Sequence, residues 1–152
     1  MGTATDPTSR LTGPSLVDQT TDRLRQAIFQ GAYQPGSHLR EMRIAKELGV
    51  SQSTVREALQ RLESAGLVTR TPNVGTSVTR LSPREVRERV ALRVLLEVKA
   101  AQEASGRMGD AEFRELEARL AAMAEPIRRD VYYEAAQADL KFHRYIWECA
   151  GR

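Results

Sequence analysis

The chain has little cysteine, little histidine and few aromatic residues. Its one cysteine, Cys149, excludes a disulfide framework and any cysteine-based zinc finger. No apolar run approaches the ~20 residues that cross a bilayer. The first residues, MGTATDPTSRLTGP, hold no apolar core and so are not a signal peptide. They read as a flexible arm. Together these absences point to a cytoplasmic protein without a membrane partner. Disorder of the whole chain is excluded too, because apolar residues make up 41% and charged residues 28% of its 152 positions.

What is present is unevenly charged. Residues 1–81 carry ten Lys and Arg against seven Asp and Glu, while residues 82–152 carry thirteen of each. The positive excess lies in the first half, which points to a polyanion there. Arginine outnumbers lysine twenty to three, a bias better explained by genome composition than by chemistry.

Helical periodicity begins at Ser15, which forms a capping signature with Asp18. Val17, Leu24, Ala27 and Ile28 recur at helical spacing, and Gly31 stops the helix. Pro35-Gly36 suits a type II turn. A short helix is expected over 40–48, with Ile44, Ala45 and Leu48 on its apolar face and Gly49 at its end. Ser51 caps a third helix over 51–65, where Val55, Ala58, Leu59 and Leu62 form an amphipathic stripe. The period then changes to two. Segments 67–71 and 76–80 read as a hairpin around Pro72-Asn73-Val74-Gly75, with glycine supplying positive φ.

Ser82-Pro83-Arg84-Glu85 joins a capping box to a proline start. The long helix after it runs to about Ser105, with Val86, Val90, Val94 and Val98 among its apolar positions. Asp110 is expected to cap the next helix, with Phe113, Leu116, Leu120, Met123 and Ile127 as its stripe and Pro126 ending or bending it. A last helix covers about 131–150, and Phe142 and the methionines read as core. The fold class is mainly α. An arm (1–14) precedes a winged helix-turn-helix of three helices plus a β-hairpin wing (15–81), and an incomplete all-α bundle follows (82–152).

In that order of elements, the third helix would enter a major groove by its N-terminal residues. These are Ser51, Gln52, Ser53, Thr54 and Arg56: hydroxyls for phosphates, an amide suited to adenine, a guanidinium suited to guanine. Ser51 is a helix cap first. Arg40, Arg43 and Arg70 are phosphate neighbours or plain surface charge. Gly75 serves the turn and lets the wing approach the minor groove.

The run from Leu24 to Val78 resembles the DNA-binding domain of the GntR family of bacterial transcription regulators. The matching elements include Ala27-Ile28 with Gly31, Pro35-Gly36, Leu48-Gly49-Val50-Ser51, Val55-Arg56-Glu57-Ala58-Leu59, Gly66-Leu67-Val68, and Gly75 with Val78. The resemblance implies that Arg56 reads a base, typically guanine, and that Gly75 is the wing-tip glycine. Gln52 stands where the family usually has arginine, Thr54 where many relatives have proline, and Val74 where the wing is often basic.

Leu92-Arg93-Val94-Leu95-Leu96-Glu97 resembles the R-x-x-L-E opening of the effector domain in the FadR-like (FCD) subgroup, and Asp139-Leu140-Lys141-Phe142-His143 its D-x-x-F-H motif. This implies that Asp139 and His143 ligate a divalent metal such as zinc, which helps hold a small carboxylate effector. Arg93 is an effector clamp or an ion-pair partner of Glu97. The subgroup takes two further histidines from later helices. Here the chain stops at Arg152, and its only other histidine is His38 in the first half. Two ligands fall short of the three or four a zinc site uses.

The expectation is a truncated regulator that binds double-stranded DNA as a homodimer, with no cofactor of its own. Metal and effector belong to a full-length parent. The rival is an effector-deaf remnant that pairs with full-length relatives. An enzyme is not expected, since a metal hydrolase built on Asp139 and His143 would lack nucleophile, base and third ligand.

Overall fold

The computed structural model describes residues 13–151. The expected flexible arm lies outside them apart from Gly13 and Pro14. The chain divides into two compact units. The first takes the chain up to Arg25 together with Ser37–Val78; the second takes Gln26–Gly36 and everything from Thr79 onward.

The first unit holds α1 (Leu16–Phe29) up to Arg25, then α2 (Glu41–Leu48), α3 (Gln52–Ser64), β1 (Val68–Thr71) and β2 (Gly75–Val78). The start of α1 follows its sequence signature. The Ser15 N–H donates to Asp18 Oδ2 at 2.8 Å, and the Asp18 N–H donates back to Ser15 Oγ at 3.1 Å. Between α2 and α3 the chain reverses within three residues. Gly49 takes φ +66°, the Val50 N–H donates to the Ala45 carbonyl at 3.1 Å, and Ser51 is extended.

The stripe of α3 is the centre of the core. Val55, Ala58, Leu59 and Leu62 are all buried, against Leu24, Leu39, Ile44, Val68 and Val78. Thr20 and Thr21 are buried beside them, where the apolar pattern skips them. Thr21 brings its own partner, its hydroxyl donating to the Val17 carbonyl at 2.7 Å.

The strands pair antiparallel from Val68 opposite Val78 to Thr71 opposite Gly75. Positive φ occurs at Gly75 (+114°) and also at Asn73 (+61°), which short polar side chains tolerate. The wing has a third line of chain that the sequence pattern does not show. The Leu39 N–H donates to the Thr76 carbonyl at 2.8 Å, the Val78 N–H donates to the Ser37 carbonyl at 2.9 Å, and His38 bridges Ser77. A bare hairpin would be marginal; this one is tied to the segment leading into α2.

The second unit holds the last turn of α1, then α4 (Pro83–Ser105), α5 (Asp110–Arg128) and α6 (Tyr132–Cys149). Ser82 and Glu85 close the expected capping box on α4. Helix α6 packs on both α5 and α4. The core is slim: Ala100, Ala104 and Ala150, with Met108, Ile146, Trp147 and Cys149 packed against them. Phe29 meets Tyr133 edge-on at 5.9 Å.

Several expectations are corrected here. Gly109, not Asp110, is the N-cap of α5, because Glu112 reaches back to accept the Gly109 N–H at 2.9 Å. Pro126 does not end α5, which runs to Arg128. Val86, Val90, Val94 and Val98 are exposed, as are Phe113, Leu120 and Ile127, because α4 and α5 have a covering helix on one side only. Met42 is exposed rather than core, since it lies on the face of α2 away from buried Ile44. Phe142 is half-buried and sits edge-on to the His143 ring.

Candidate nucleic-acid interface

The N-terminus of α3 gathers hydroxyls. Ser51 Oγ accepts the Thr54 N–H at 3.1 Å and lies 2.8 Å from both Ser53 Oγ and Thr54 Oγ1. Free backbone N–H groups and the positive end of the helix dipole face the same way, which suits a phosphate.

Glu41, the first residue of α2, holds the other readers together. Its carboxylate accepts from Arg56 (Nη2 at 2.9 Å, Nε at 3.2 Å), from Gln52 Nε2 at 3.0 Å and from Arg70 Nη2 at 3.1 Å. The Glu41 side chain is 19% exposed, while those of Arg56 and Arg70 are 51% and 36% exposed. The hydrogen bond from Arg56, then the one from Gln52 and the attraction of both arginines, hold the Glu41 carboxyl below the usual carboxylate range. The same bond raises the pKa of the Arg56 guanidinium. Sequence pattern does not reveal Glu41, because an acid in the first turn reads as an ordinary dipole partner.

Residues 38–43, Gln52, Arg70 and residues 74–76 line a groove of about 710 Å³. It brings Arg40, Arg43, Gln52, Arg70 and Gly75 to one face of the unit. Arg40 is exposed and makes no side-chain cap on α2. Arg43 pairs with Glu47 one turn on, at 2.8 Å. A Cβ added at Gly75 would meet nothing within 4 Å, so the backbone conformation, not crowding, requires the glycine.

In the second unit Arg93, Glu97, Asp139 and His143 meet. Arg93 Nη2 donates to Asp139 Oδ2 at 2.7 Å and its Nε donates to Glu97. His143 Nδ1 lies 3.2 Å from Glu97, and its Nε2 lies 3.3 Å from Asp139. The hydrogen bonds to Glu97 and then Asp139 raise the pKa of Arg93. The pairing with Glu97 follows from helical spacing; the one with Asp139 does not. These four, with Leu140, Arg144, Trp147 and Glu148, line a cleft of about 610 Å³.

The cluster does not fit a metal centre by itself. Among the described residues no group of three or more His, Cys, Asp or Glu is arranged to hold an ion. Arg93 already places a positive charge on Asp139.

The sequence profile of the bacterial regulatory proteins of the gntR family matches residues 16–78, and that of the FCD domain matches residues 88–152. An uncharacterized HTH-type transcriptional regulator in the TAR-I ttuE–ttuC' intergenic region of Agrobacterium vitis is 32% identical, over 97% of this chain and 91% of that protein. The chain belongs to the GntR family. The HTH-type transcriptional regulator YdhC of Bacillus subtilis, itself uncharacterized, is 31% identical over 84% of this chain and 58% of its own length. The solved structure of McbR/YncC from E. coli superposes with a TM-score of 0.68 at 26% identity, over 90% of this chain and 65% of that one. This GntR chain thus spans about three fifths of those two proteins, and nearly all of the A. vitis relative.

The FadR-like reading fits the FCD match. GntR proteins are transcriptional regulators and not enzymes, so the hydrolase alternative is dropped. Among the described residues no helix is long and apolar enough to cross a membrane.

Proposed function

We propose that this GntR chain is a transcriptional regulator that reads a palindromic operator as a dimer. One observation carries the reading: Gln52 and Arg56 of α3 and Arg70 of β1 converge on Glu41 of α2, at one exposed face. In this reading Arg56 reads a base and Gln52 reads its neighbour. Ser51, Ser53 and Thr54 take phosphates at the start of α3, with Arg40, Arg43 and Arg70 as flanking phosphate contacts. Gly75 lets the wing approach the minor groove. A second copy covers the exposed apolar face of α4 and sets two recognition helices one DNA turn, about 34 Å, apart.

The cleft around Arg93 takes a small carboxylate, which competes with Asp139 for the guanidinium. Such binding changes DNA affinity by linkage. Asp139 and His143 serve as metal ligands only where a longer chain supplies further donors.

The test is a titration of labelled duplexes, a GT/AC-type palindrome and a scrambled control, at two salt concentrations. Wild type prefers the palindrome. Arg56→Ala loses that preference, by about 1–3 kcal/mol per half-site, and keeps the salt dependence of its remaining phosphate contacts. Equal binding of both duplexes by wild type and variant, with no consensus enriched from a randomised pool, overturns the reading.

A further inference from the structure

Glu41 has a consequence for sequence choice that rests on the DNA-reading role proposed above. A carboxylate can only accept hydrogen bonds. The Gln52 amide therefore has one orientation available: its NH2 faces Glu41 at 3.0 Å and its Oε1 faces away. Free of such a partner, a glutamine amide turns over at little cost and offers either a donor or an acceptor outward.

The bases differ in the same way. In the major groove adenine and cytosine each present an amino donor, N6 or N4, whereas guanine and thymine present only acceptors there. A glutamine locked with its oxygen outward can accept from an amino base. Against a keto base that oxygen meets an oxygen, and only the one amide N–H that Glu41 does not hold is left to donate, so the keto base is disfavoured.

We infer that Glu41 is a specificity-determining positioning residue that fixes the Gln52 amide and so restricts the base beneath it to adenine or cytosine. Glu41 need not touch the DNA to do this.

The same carboxylate leaves Arg56 its reading edge. Glu41 engages Nε and Nη2, on one side of the guanidinium. Nη1 and the second N–H of Nη2 form the end-on fork that matches guanine O6 and N7. The acid thus fixes the acceptor that takes an amino base and leaves free the fork that takes guanine, a fork the guanidinium carries by itself. Glu41 also holds Arg70 at 3.1 Å, so the carboxylate stays charged and in place through three donors from two other elements.

The full chain tests this by selection from a pool of randomised duplexes, with sequencing of the bound fraction. Four proteins are compared: wild type, Glu41→Ala, Gln52→Ala and the double variant. The operator position read by Gln52 is the one whose preference is lost in Gln52→Ala. There wild type favours A or C over G or T by about tenfold, the scale of one good base contact. Glu41→Ala abolishes that amino-base preference while the guanine preference assigned to Arg56 survives, and the double variant matches Gln52→Ala. Circular dichroism melts show that each variant is folded. Gln52 lies on the exposed face of α3, so its variant keeps the test informative should Glu41→Ala be unstable.

The inference is overturned if Glu41→Ala keeps the preference, if wild type favours G or T at that position, or if Gln52→Ala changes no position. If wild type selects no consensus, or Arg56→Ala leaves the consensus unchanged, the DNA-reading role itself falls and this inference falls with it.

Discussion

Asp18 is held below the ordinary carboxylate range by the groups that donate to it. The Ser15 hydroxyl is the largest cause, followed by the Ser15 N–H and the Arg61 guanidinium. Arg61 approaches from 43 residues further along, so this acid both caps α1 and ties it to α3. A folded pKa below the unfolded one means stability that is full above the carboxylate range and lost as pH falls through the lowered value. Thermal melts of wild type and Asp18→Asn should therefore differ at pH 7 and converge in acid; a gap that persists at pH 2 would show that the charge is not the cause. The two halves of this arrangement differ in legibility. The Ser15–Asp18 capping signature lies within four residues and is plain in the sequence, while the Arg61 contact is set by packing and is not. The same holds for Glu41, whose partners lie 11, 15 and 29 residues away.

Helix α3 shows how an element divides its residues between core and ligand. Its buried stripe anchors it, and its exposed start carries the proposed readers. Leu62 is fully buried. Leu62→Ala should cost about 2–5 kcal/mol, read from the denaturant midpoint of the first unit's unfolding. Ser51→Ala removes the cap that accepts the Thr54 N–H and should cost about 1 kcal/mol by the same measurement. Equal losses from the two would contradict this division. The stripe is legible because period 3.6 and burial agree there. Its counterpart in α4 is not, since valines at helical spacing point to an apolar face without saying whether this chain covers it. The third line of the wing, residues 37–39, shows no period at all. Isolated bridges made by a connecting segment leave no alternating pattern to read.

Across the whole molecule the two units bury different things. The first is closed by leucine, isoleucine and valine, while the second closes on three alanines and leaves apolar side chains exposed along α4, with Leu95 69% exposed. A monomer rarely exposes so many large apolar side chains along one helix. A palindromic operator needs two recognition helices held at fixed spacing, and a second copy of the chain meets both requirements at once. Leu95→Glu discriminates. Because the residue is exposed, the substitution should change unfolding stability by no more than about 0.5 kcal/mol in a monomer. Across a dimer interface it buries an unpaired charge instead. Sedimentation should then find wild type as a dimer and the variant as a monomer, with palindrome affinity falling to that of a single half-site. A wild-type chain that sediments as a monomer on and off the palindrome would detach the α4 face from operator recognition and return it to the rival reading, a surface for pairing with a longer relative.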